Sequence, residues 1–275
     1  MPNQTMSDVG SVVSLWRYPV KSMMGEELGT SEVTERGLFG DRSYAMIDPS
    51  TGKVASAKNP RKWPNLFDFR AAYAETPRPG EKVPPVLISV PDGTIVSSAE
   101  GDIDQTLSAA LGREATLVTA APKAPTLEEY WPDLEGLDHR ETVTEEDMPP
   151  ETFFDLAVVH ILTTATINRL RELYPEGRFE VRRFRPNIVV ETNAGEPDFV
   201  ENAWIGRTLE LGDEVRLSIT GPCPRCVMTT LSQGDLPKDV GILRTVAQHN
   251  QTHVGVYATV LKSGTIHRGD PVRLR

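Results

Sequence analysis

The segment from Leu217 to Leu231, LSITGPCPRCVMTTL, constrains this chain most, because it contains both of the cysteines, Cys223 and Cys226. β-Branched and apolar residues on either side predict two strands, and the Gly-Pro turn with its two prolines predicts a stiff, tight loop between them. Arg225 lies between the cysteines, and a fixed positive charge lowers the pKa of a neighbouring thiol. We therefore expect reactive sulfur on this loop.

Four interpretations of this loop remain open. The cysteines could be small buried hydrophobes near a turn. A redox dithiol also uses CxxC, but the thioredoxin-like version opens a helix, whereas VMTTL is typical of a strand. His249 and His253 complete a zinc-like C-x2-C-x22-H-x3-H pattern, although its spacer is far longer than that of a zinc finger. In the fourth, one thiolate binds a redox metal while Arg225 and the loop hold the rest of a cofactor.

Length and composition are those of a globular protein of one large or two ordinary domains, with 275 residues, 39% of them hydrophobic and 25% charged. A net charge of -10 disfavours general nucleic-acid binding, which needs phosphate neutralisation. No apolar run approaches a membrane span, and the first ten residues lack a secretory signal. Cysteines this close in sequence cannot staple distant parts of a fold, which indicates a reducing compartment. We expect a cytoplasmic protein that binds neither nucleic acid nor membrane.

Basic residues recur at the ends of predicted strands. The alternating strand pattern from Val9 to Val20 is followed by Lys21 and Ser22, a pair that suits phosphate or pterin oxygens but is often only a solvated turn. Arg42 follows Asp41 in a glycine-rich turn, where a surface ion pair is the ordinary interpretation. Lys58 is a weaker candidate for the same basic wall.

Four arginines occur within RFEVRRFR, residues 178–185, in an otherwise acidic chain. So many positive charges close together need negative partners, which are either a bound anion or carboxylates within the protein. A strand here would place Arg183 and Arg185 on one face, opposite Arg182. The guanidinium fork suits phosphate, so Arg185 is the preferred candidate, with Asn187 beside it, whereas Arg182 and Arg183 could pair with surface acids.

The segment FFDLAVVHILTTATINRLRELYPEG predicts a strand followed by a helix that begins near Thr163 or Thr164 and ends at Gly177. Free N–H groups at such a helix start can bind an anion, although an ordinary capped helix fits the local sequence equally well. His160 lies in the apolar strand, where a histidine is usually a core residue.

The chain divides into three parts by pattern. Residues 8–120 alternate as short strands with one helix at 102–111, residues 121–150 are acidic and proline-bearing and suggest a linker or lid, and residues 151–275 form a second strand-rich unit. The fold class is therefore mainly β with a few helices, in two domains.

Three separated segments resemble one known family. GPCPRCVMTT resembles the cysteine signature of the MOSC domain, the module found in molybdenum cofactor sulfurases and amidoxime-reducing proteins. FRPNIVVE resembles its cofactor-holding segment, and YPVKSMMGEEL with GDRSYAMID resembles the β-barrel-like domain that precedes it. The resemblance covers nearly the whole chain and implies an N-terminal β-barrel-like domain followed by a MOSC β-barrel.

The resemblance also implies a ligand and roles. The ligand is the molybdenum cofactor, molybdenum bound to molybdopterin, with Cys226 as the metal ligand and catalytic residue. The residues expected to hold the organic part are Lys21, Ser22, Arg42, Arg185 and Asn187, to which the local arguments above add Thr163, Thr164 and Arg225. The implied activity is reduction of N-hydroxylated compounds. Sulfur transfer or cofactor carriage through a cysteine persulfide is the alternative.

The source of electrons follows from the residues themselves. An iron-sulfur cluster needs about four cysteines, and this chain has two. It also has no GxGxxG fingerprint for flavin or nicotinamide. We therefore expect a separate electron-donor protein, an iron-sulfur or flavin reductase.

Overall fold

The structure is a computed structural model that describes residues 7–193, 195 and 198–275. The expectation of a mainly β protein with few helices is confirmed. The N-terminal part contains strands β1 Ser7–Arg17, β2 Glu26–Leu28, β3 Thr30–Thr34, β4 Gly37–Leu38, β5 Ala45–Ile47, β6 Arg70–Tyr73, β7 Val86–Ser89, β8 Ile95–Ser97 and β9 Thr116–Val118, with helix α1 Ile103–Leu111.

The remaining elements follow after a hairpin. They are β10 Thr126–Trp131, β11 Thr142–Asp147, β12 Val159–Thr163, α2 Thr164–Leu173, α3 Val181–Phe184, β13 Ile188–Thr192, β14 Thr208–Leu211, β15 Val215–Pro224, α4 Val240–Asn250, β16 His253–Lys262, β17 Gly264–His267 and β18 Pro271–Leu274. Short 3-10 turns lie at Leu66–Asp68, Val200–Trp204 and Val227–Thr230. No helix formed by the described residues combines the length and the apolar character needed to cross a bilayer.

Seven strands close a barrel in the order β13-β12-β16-β15-β14-β18-β1, because β1 pairs with β13 as well as with β18. Only β12 and β13 run parallel. Apolar side chains alternate along the strands and fill the interior, as Val12 and Leu15 do in β1. Closure leaves these seven strands without a free edge between them.

The first strand links the two predicted domains. Although β1 lies at the start of the N-terminal part, it completes the C-terminal barrel, with Leu15 opposite Ile188 and Ser11 opposite Pro271. In return, β17 pairs with β3 of the N-terminal part. The sequence pattern gave no sign of this exchange of strands.

The N-terminal part has its own apolar cluster, which includes Trp63, Phe69 and Leu107. The predicted helix at 102–111 is present as α1, and Gly112 ends it with a φ of 71°. Met228 and the partly buried Cys226 pack against this cluster although they belong to the C-terminal part. The cysteine segment therefore lies at the junction of the two cores.

Several local expectations were wrong. VMTTL forms a 3-10 turn at Val227–Thr230 instead of a strand, and the hydroxyls of Thr229 and Thr230 donate back to the carbonyls of Cys226 and Val227. RFEVRRFR forms the short helix α3 instead of a strand, and α2 ends at Leu173 before Gly177. Residues 121–150 contain the β10–β11 hairpin, and their predicted role as a linker or lid stays a prediction.

Gly255 provides a test of the barrel packing. Its φ is +79°, and a Cβ there would overlap His160 Nε2 and the Ile161 carbonyl oxygen of the adjacent strand. We expect Gly255→Ala to lower the free energy of unfolding by about 3 kcal/mol or more, measured by urea denaturation.

Gly206→Ala is the matched control, because Gly206 also has a positive φ, +81°, but nothing lies within 4 Å of its Cβ position. That variant should lose only about 1 kcal/mol, the cost of the left-handed backbone. Equal losses in the two variants would contradict the close packing at Gly255.

Candidate functional site

A cavity of about 630 Å³ opens where the barrel, the N-terminal core and the β10–β11 hairpin meet. Cys226 lines it, together with four basic side chains, Arg42, Lys58, Arg185 and Arg225. These come from four separate segments of the chain. The same cavity is also lined by five acidic residues, Glu129, Asp138, Glu146, Asp147 and Asp155, so it contains both signs of charge around the sulfur.

Cys226 lies just beyond the end of β15 and is partly exposed. Burial within the site and the nearby Glu129 raise the pKa of this thiol to about 12, although Lys58 and Arg225 oppose the shift. The expectation that Arg225 would lower the pKa at both cysteines is therefore wrong for Cys226, because desolvation outweighs attraction. Metal binding at this sulfur would have to displace a proton.

Cys223 lies in a different environment. It is fully buried, and its Sγ accepts a hydrogen bond of 2.8 Å from Arg225 Nη1. Burial would raise the pKa of this thiol, but Arg225 and His160 outweigh it and lower the pKa to about 6. The sulfur at position 223 is thus enclosed and lies against the guanidinium of Arg225.

Arg185 and Arg225 are positive charges with few partners. Arg185 donates to the Met23 carbonyl at 2.7 Å and lies 4.1 Å above the ring of Tyr18. Arg225 donates to the Phe184 carbonyl at 3.0 Å as well as to sulfur, and its buried Nε has no partner. Among the described residues, no carboxylate touches either guanidinium. Guanidinium groups that no carboxylate neutralises can donate hydrogen bonds to an anion.

Arg185 also shows the electrostatic cost of this arrangement. Burial lowers the pKa of its guanidinium to about 10, with Arg42 adding to the shift and Tyr18 and Asp41 opposing it. The backbone supports its placement, because Arg185 follows α3 with a φ of 53°. A non-glycine residue in this conformation is uncommon and is found at functional sites.

Asn187 and Arg42 converge on one buried carboxylate. Asn187 Nδ2 donates to Asp41 Oδ2 at 2.9 Å and to the Trp16 carbonyl at 3.3 Å, while its Oδ1 accepts from the His160 backbone N–H at 3.1 Å. Arg42 pairs with the same carboxylate and borders the cavity. Asn187 therefore ties β1 to β12 while it lines the cavity.

Lys21 and Ser22 lie behind the cavity wall. Lys21 Nζ donates to the Phe153 carbonyl at 2.9 Å and to Asp155 Oδ1 at 2.8 Å, and Ser22 Oγ accepts from the Ala57 N–H at 3.1 Å. Burial lowers the pKa of Lys21 to about 8, against the attraction of Asp155. Both residues hold segments that carry lining residues, Asp155 and Lys58, and neither lines the cavity itself.

Thr163 and Thr164 are not brought to the cavity. Thr163 caps α2 as predicted, accepting from the Thr166 N–H at 3.1 Å, and its hydroxyl donates to the buried Glu201 at 2.7 Å. Thr164 is the first residue of the helix. The helix start is therefore occupied by a protein carboxyl group.

None of the five acidic residues that line the cavity was a predicted site residue, and two of them, Glu129 and Asp155, lie close to its cations. Glu129 forms an ion pair of 2.9 Å with Lys58, and burial would lower the pKa of Lys58, but Asp155, Cys226 and Glu129 together raise it. A signal existed for Glu129, because it shares the buried face of β10 with Leu127. No pattern marked Asp155.

Arg183 was also misjudged as a surface residue. It is fully buried and donates to the carbonyls of Thr229 at 3.2 Å, Leu231 at 3.1 Å and Pro237 at 2.8 Å. It thereby fixes the segment that follows Cys226. Arg182 does pair with surface acids, Glu180 and Asp235.

The zinc interpretation finds no support in the geometry. In the part of the chain that the structure describes, no group of three or more His, Cys, Asp or Glu side chains is arranged to hold a metal ion. His253 borders the cavity, but His249 is exposed on α4. His160 is buried, with Nε2 3.0 Å from the Val254 carbonyl oxygen, and it also borders the cavity.

Comparison with known families identifies the two halves. The MOSC N-terminal beta barrel domain matches residues 9–122, and the MOSC domain matches residues 150–273. This chain is a member of the MOSC family. The cysteine signature, the RPN segment and the basic N-terminal turns all fall within the matched ranges.

Several curated proteins are similar over most of the chain. Mitochondrial amidoxime reducing component 2 from Rattus norvegicus is 23% identical and Mitochondrial amidoxime-reducing component 1 from Homo sapiens is 25% identical, covering 97% and 98% of this chain and 84% of each relative. Molybdenum cofactor sulfurase from Oryza sativa is 24% identical over 90% of this chain and 32% of its own length. Among solved structures, the YUAD protein from Bacillus subtilis aligns over 98% of this chain and 97% of its own, with 12% identity and a TM-score of 0.48.

The raised pKa of Cys226 predicts a pH dependence. In protein without cofactor, the thiolate fraction is small below a pKa of about 12, so alkylation by iodoacetamide should rise about tenfold for each pH unit from 8 to 10. An ordinary free cysteine would level off near pH 9. The rate is measured by mass spectrometry of the Cys226 peptide, and a plateau near pH 8 would contradict the buried environment.

The bridging role of Asn187 predicts a structural cost of its removal. Asn187→Ala leaves Asp41, the Trp16 carbonyl and the His160 N–H short of partners, so we expect a loss of about 2–4 kcal/mol in the free energy of unfolding. Asn193→Ala is the control, because Asn193 makes its side-chain contact with Asp8 at the surface and should cost under about 1 kcal/mol.

Proposed function

We propose that this protein is a molybdenum cofactor-dependent oxidoreductase that reduces N-hydroxylated compounds with electrons from a separate protein. One observation carries the proposal: a partly exposed sulfur, Cys226, shares a cavity with two guanidinium groups, Arg185 and Arg225, that no carboxylate neutralises among the described residues. The names of the amidoxime-reducing relatives support the reaction class.

The residues present fit such a cofactor. The buried Nε of Arg225 lacks a partner, and Arg185 uses only one of its N–H groups within the described residues, so donors remain for phosphate or pterin oxygens. Arg42 and Asn187 add further donors at the same wall. Cys226 supplies the soft thiolate that a redox metal of this kind takes.

Lys21 and Ser22 have an indirect part in this proposal. The resemblance implies that they contact the cofactor, but here they hold the segments of Asp155 and Lys58. We propose that both keep the wall of the cavity in place. Thr163 and Thr164 contribute only through the position of α2.

The chemistry divides between the cofactor and the protein. When bound, molybdenum supplies two-electron oxygen-atom transfer. The net reaction breaks the N–O bond of an amidoxime, consumes two electrons and two protons, and yields an amidine and water. Lys58, whose raised pKa keeps it charged, together with Arg225, offsets the cost of ionising Cys226 for metal binding.

The electron donor stays a proposal that rests on the cysteine count. With two cysteines, one of them assigned to the metal, the chain has no set of ligands for an iron-sulfur cluster. A separate iron-sulfur or flavin reductase would supply the electrons. Cytoplasmic location also stays a prediction, while the relatives are named as mitochondrial proteins.

The test uses protein made in a host that synthesises molybdopterin. We expect stoichiometric molybdenum by elemental analysis, and reduction of benzamidoxime to benzamidine with reduced methyl viologen as electron source. Cys226→Ser should lose molybdenum and lower the rate roughly 100-fold or more. NADH alone should support no turnover.

Arg182→Gln is the matched control, because Arg182 belongs to the same arginine cluster but pairs with Glu180 and Asp235 at the surface. It should retain molybdenum and activity, whereas Arg185→Gln should lose both. Protein that lacks molybdenum in a competent host, or that turns over with NADH unaided, would contradict the proposal.

Sulfur transfer is the second candidate, favoured by the similarity to the rice molybdenum cofactor sulfurase. In that role, Cys226 would carry a persulfide. Mass spectrometry of the intact protein distinguishes the two, because a labile additional sulfur on Cys226 supports transfer and stoichiometric molybdenum supports reduction.

A further inference from the structure

Cys223 does not line the cavity, yet its surroundings are unlike those of a small buried hydrophobe. Its sulfur lies against the guanidinium of Arg225, with His160 and Tyr257 as its other polar neighbours. It is fully buried and three residues before Cys226. The proposed function gives this sulfur no task.

Arg225 is held at two points. Nη1 donates to Cys223 Sγ at 2.8 Å and Nη2 donates to the Phe184 carbonyl at 3.0 Å. A guanidinium is planar, so fixing both terminal nitrogens fixes the direction of the whole group, including the unpartnered Nε. Without the sulfur, one carbonyl would remain to hold a buried charge.

Sulfur suits this role better than the usual partner of a buried arginine. A carboxylate at position 223 would form a short, bidentate pair and neutralise Arg225. Sulfur is large and polarizable, and it accepts through a weaker, less directional contact. It can orient the guanidinium while leaving its positive charge available to a ligand.

We propose that Cys223 is a positioning residue, which holds the charge of Arg225 against the cavity wall beside Cys226. The identity of the ligand rests on the function proposed above. The orientation of Arg225 by Cys223 does not, because it concerns contacts within the chain itself.

The test measures the electric field at Cys226 in full-length protein without cofactor. Cys226 is alkylated at one pH with anionic iodoacetate and with neutral iodoacetamide, and the ratio of the two rates is taken from mass spectrometry of its peptide. The thiolate fraction cancels in this ratio, so the ratio reports nearby charge. Arg225→Gln sets the lower reference and should reduce the ratio roughly fivefold.

The loss in each variant is the fall in the logarithm of this rate ratio relative to the original protein. Cys223→Ala should show at least half of the loss that Arg225→Gln shows. Val256→Ala is the matched control, because Val256 is equally buried on the strand paired with β15, opposite Pro222, and has no role in holding Arg225. Its ratio should equal that of the original protein. A purely structural role for Cys223 would move both alanine variants alike.

A smaller loss in Cys223→Ala, or an equal loss in Val256→Ala, overturns the proposal. If circular dichroism shows that Cys223→Ala does not fold, Cys223→Val decides: valine fills the space of the buried sulfur but accepts no hydrogen bond from Arg225, so a lowered ratio supports the proposal and an unchanged ratio overturns it. If Cys223→Ala lowers the ratio but the original protein takes up no molybdenum in a competent host, this inference stands and the proposed function is rejected.

Discussion

The site depends on keeping positive charge buried without neutralising it. A buried charge is costly, and most proteins compensate it with a carboxylate. Here Arg185 is compensated by the aromatic rings of Tyr18 and Phe67 and one carbonyl oxygen, and Arg225 by a sulfur and another carbonyl. These contacts are weaker than an ion pair. They leave the guanidinium groups able to attract an anion.

Carboxylates are present, but the fold assigns them to other cations. Asp41 pairs with Arg42 and accepts a hydrogen bond from Asn187. Asp155 pairs with Lys21, and Glu129 pairs with Lys58. Arg42, Lys58, Glu129 and Asp155 line the cavity as members of these ion pairs, whereas Arg185 and Arg225 line it without a carboxylate partner among the described residues. Removing Lys21, which does not line the cavity, would free the Asp155 carboxylate to repel an anionic ligand, so a residue outside the cavity still matters to it.

The sequence predicted the mainly β class, helix α1, the start of α2 and the importance of the CPRC loop, because periodicity and capping residues are local signals. It failed for VMTTL and RFEVRRFR, where β-branched and arginine residues were taken for strands. There tertiary contacts decide: Arg183 draws the two segments together through the carbonyls of Thr229 and Leu231. The partners of Lys21 and the opposite pKa shifts of the two cysteines depend on burial. The spacing of residues in the sequence gives no information about burial.

The shared strand β1 has a consequence for how the chain is made. Ser7 pairs with Leu274 and Gly10 with Thr192, so β1 leaves the ribosome long before these partners are synthesised. Contacts between residues so far apart in sequence slow folding, because a long loop must close before they form. Until then β1 exposes an unpaired edge that can join strands of other molecules. Because the barrel closes late, we expect the growing chain to depend on a chaperone during translation.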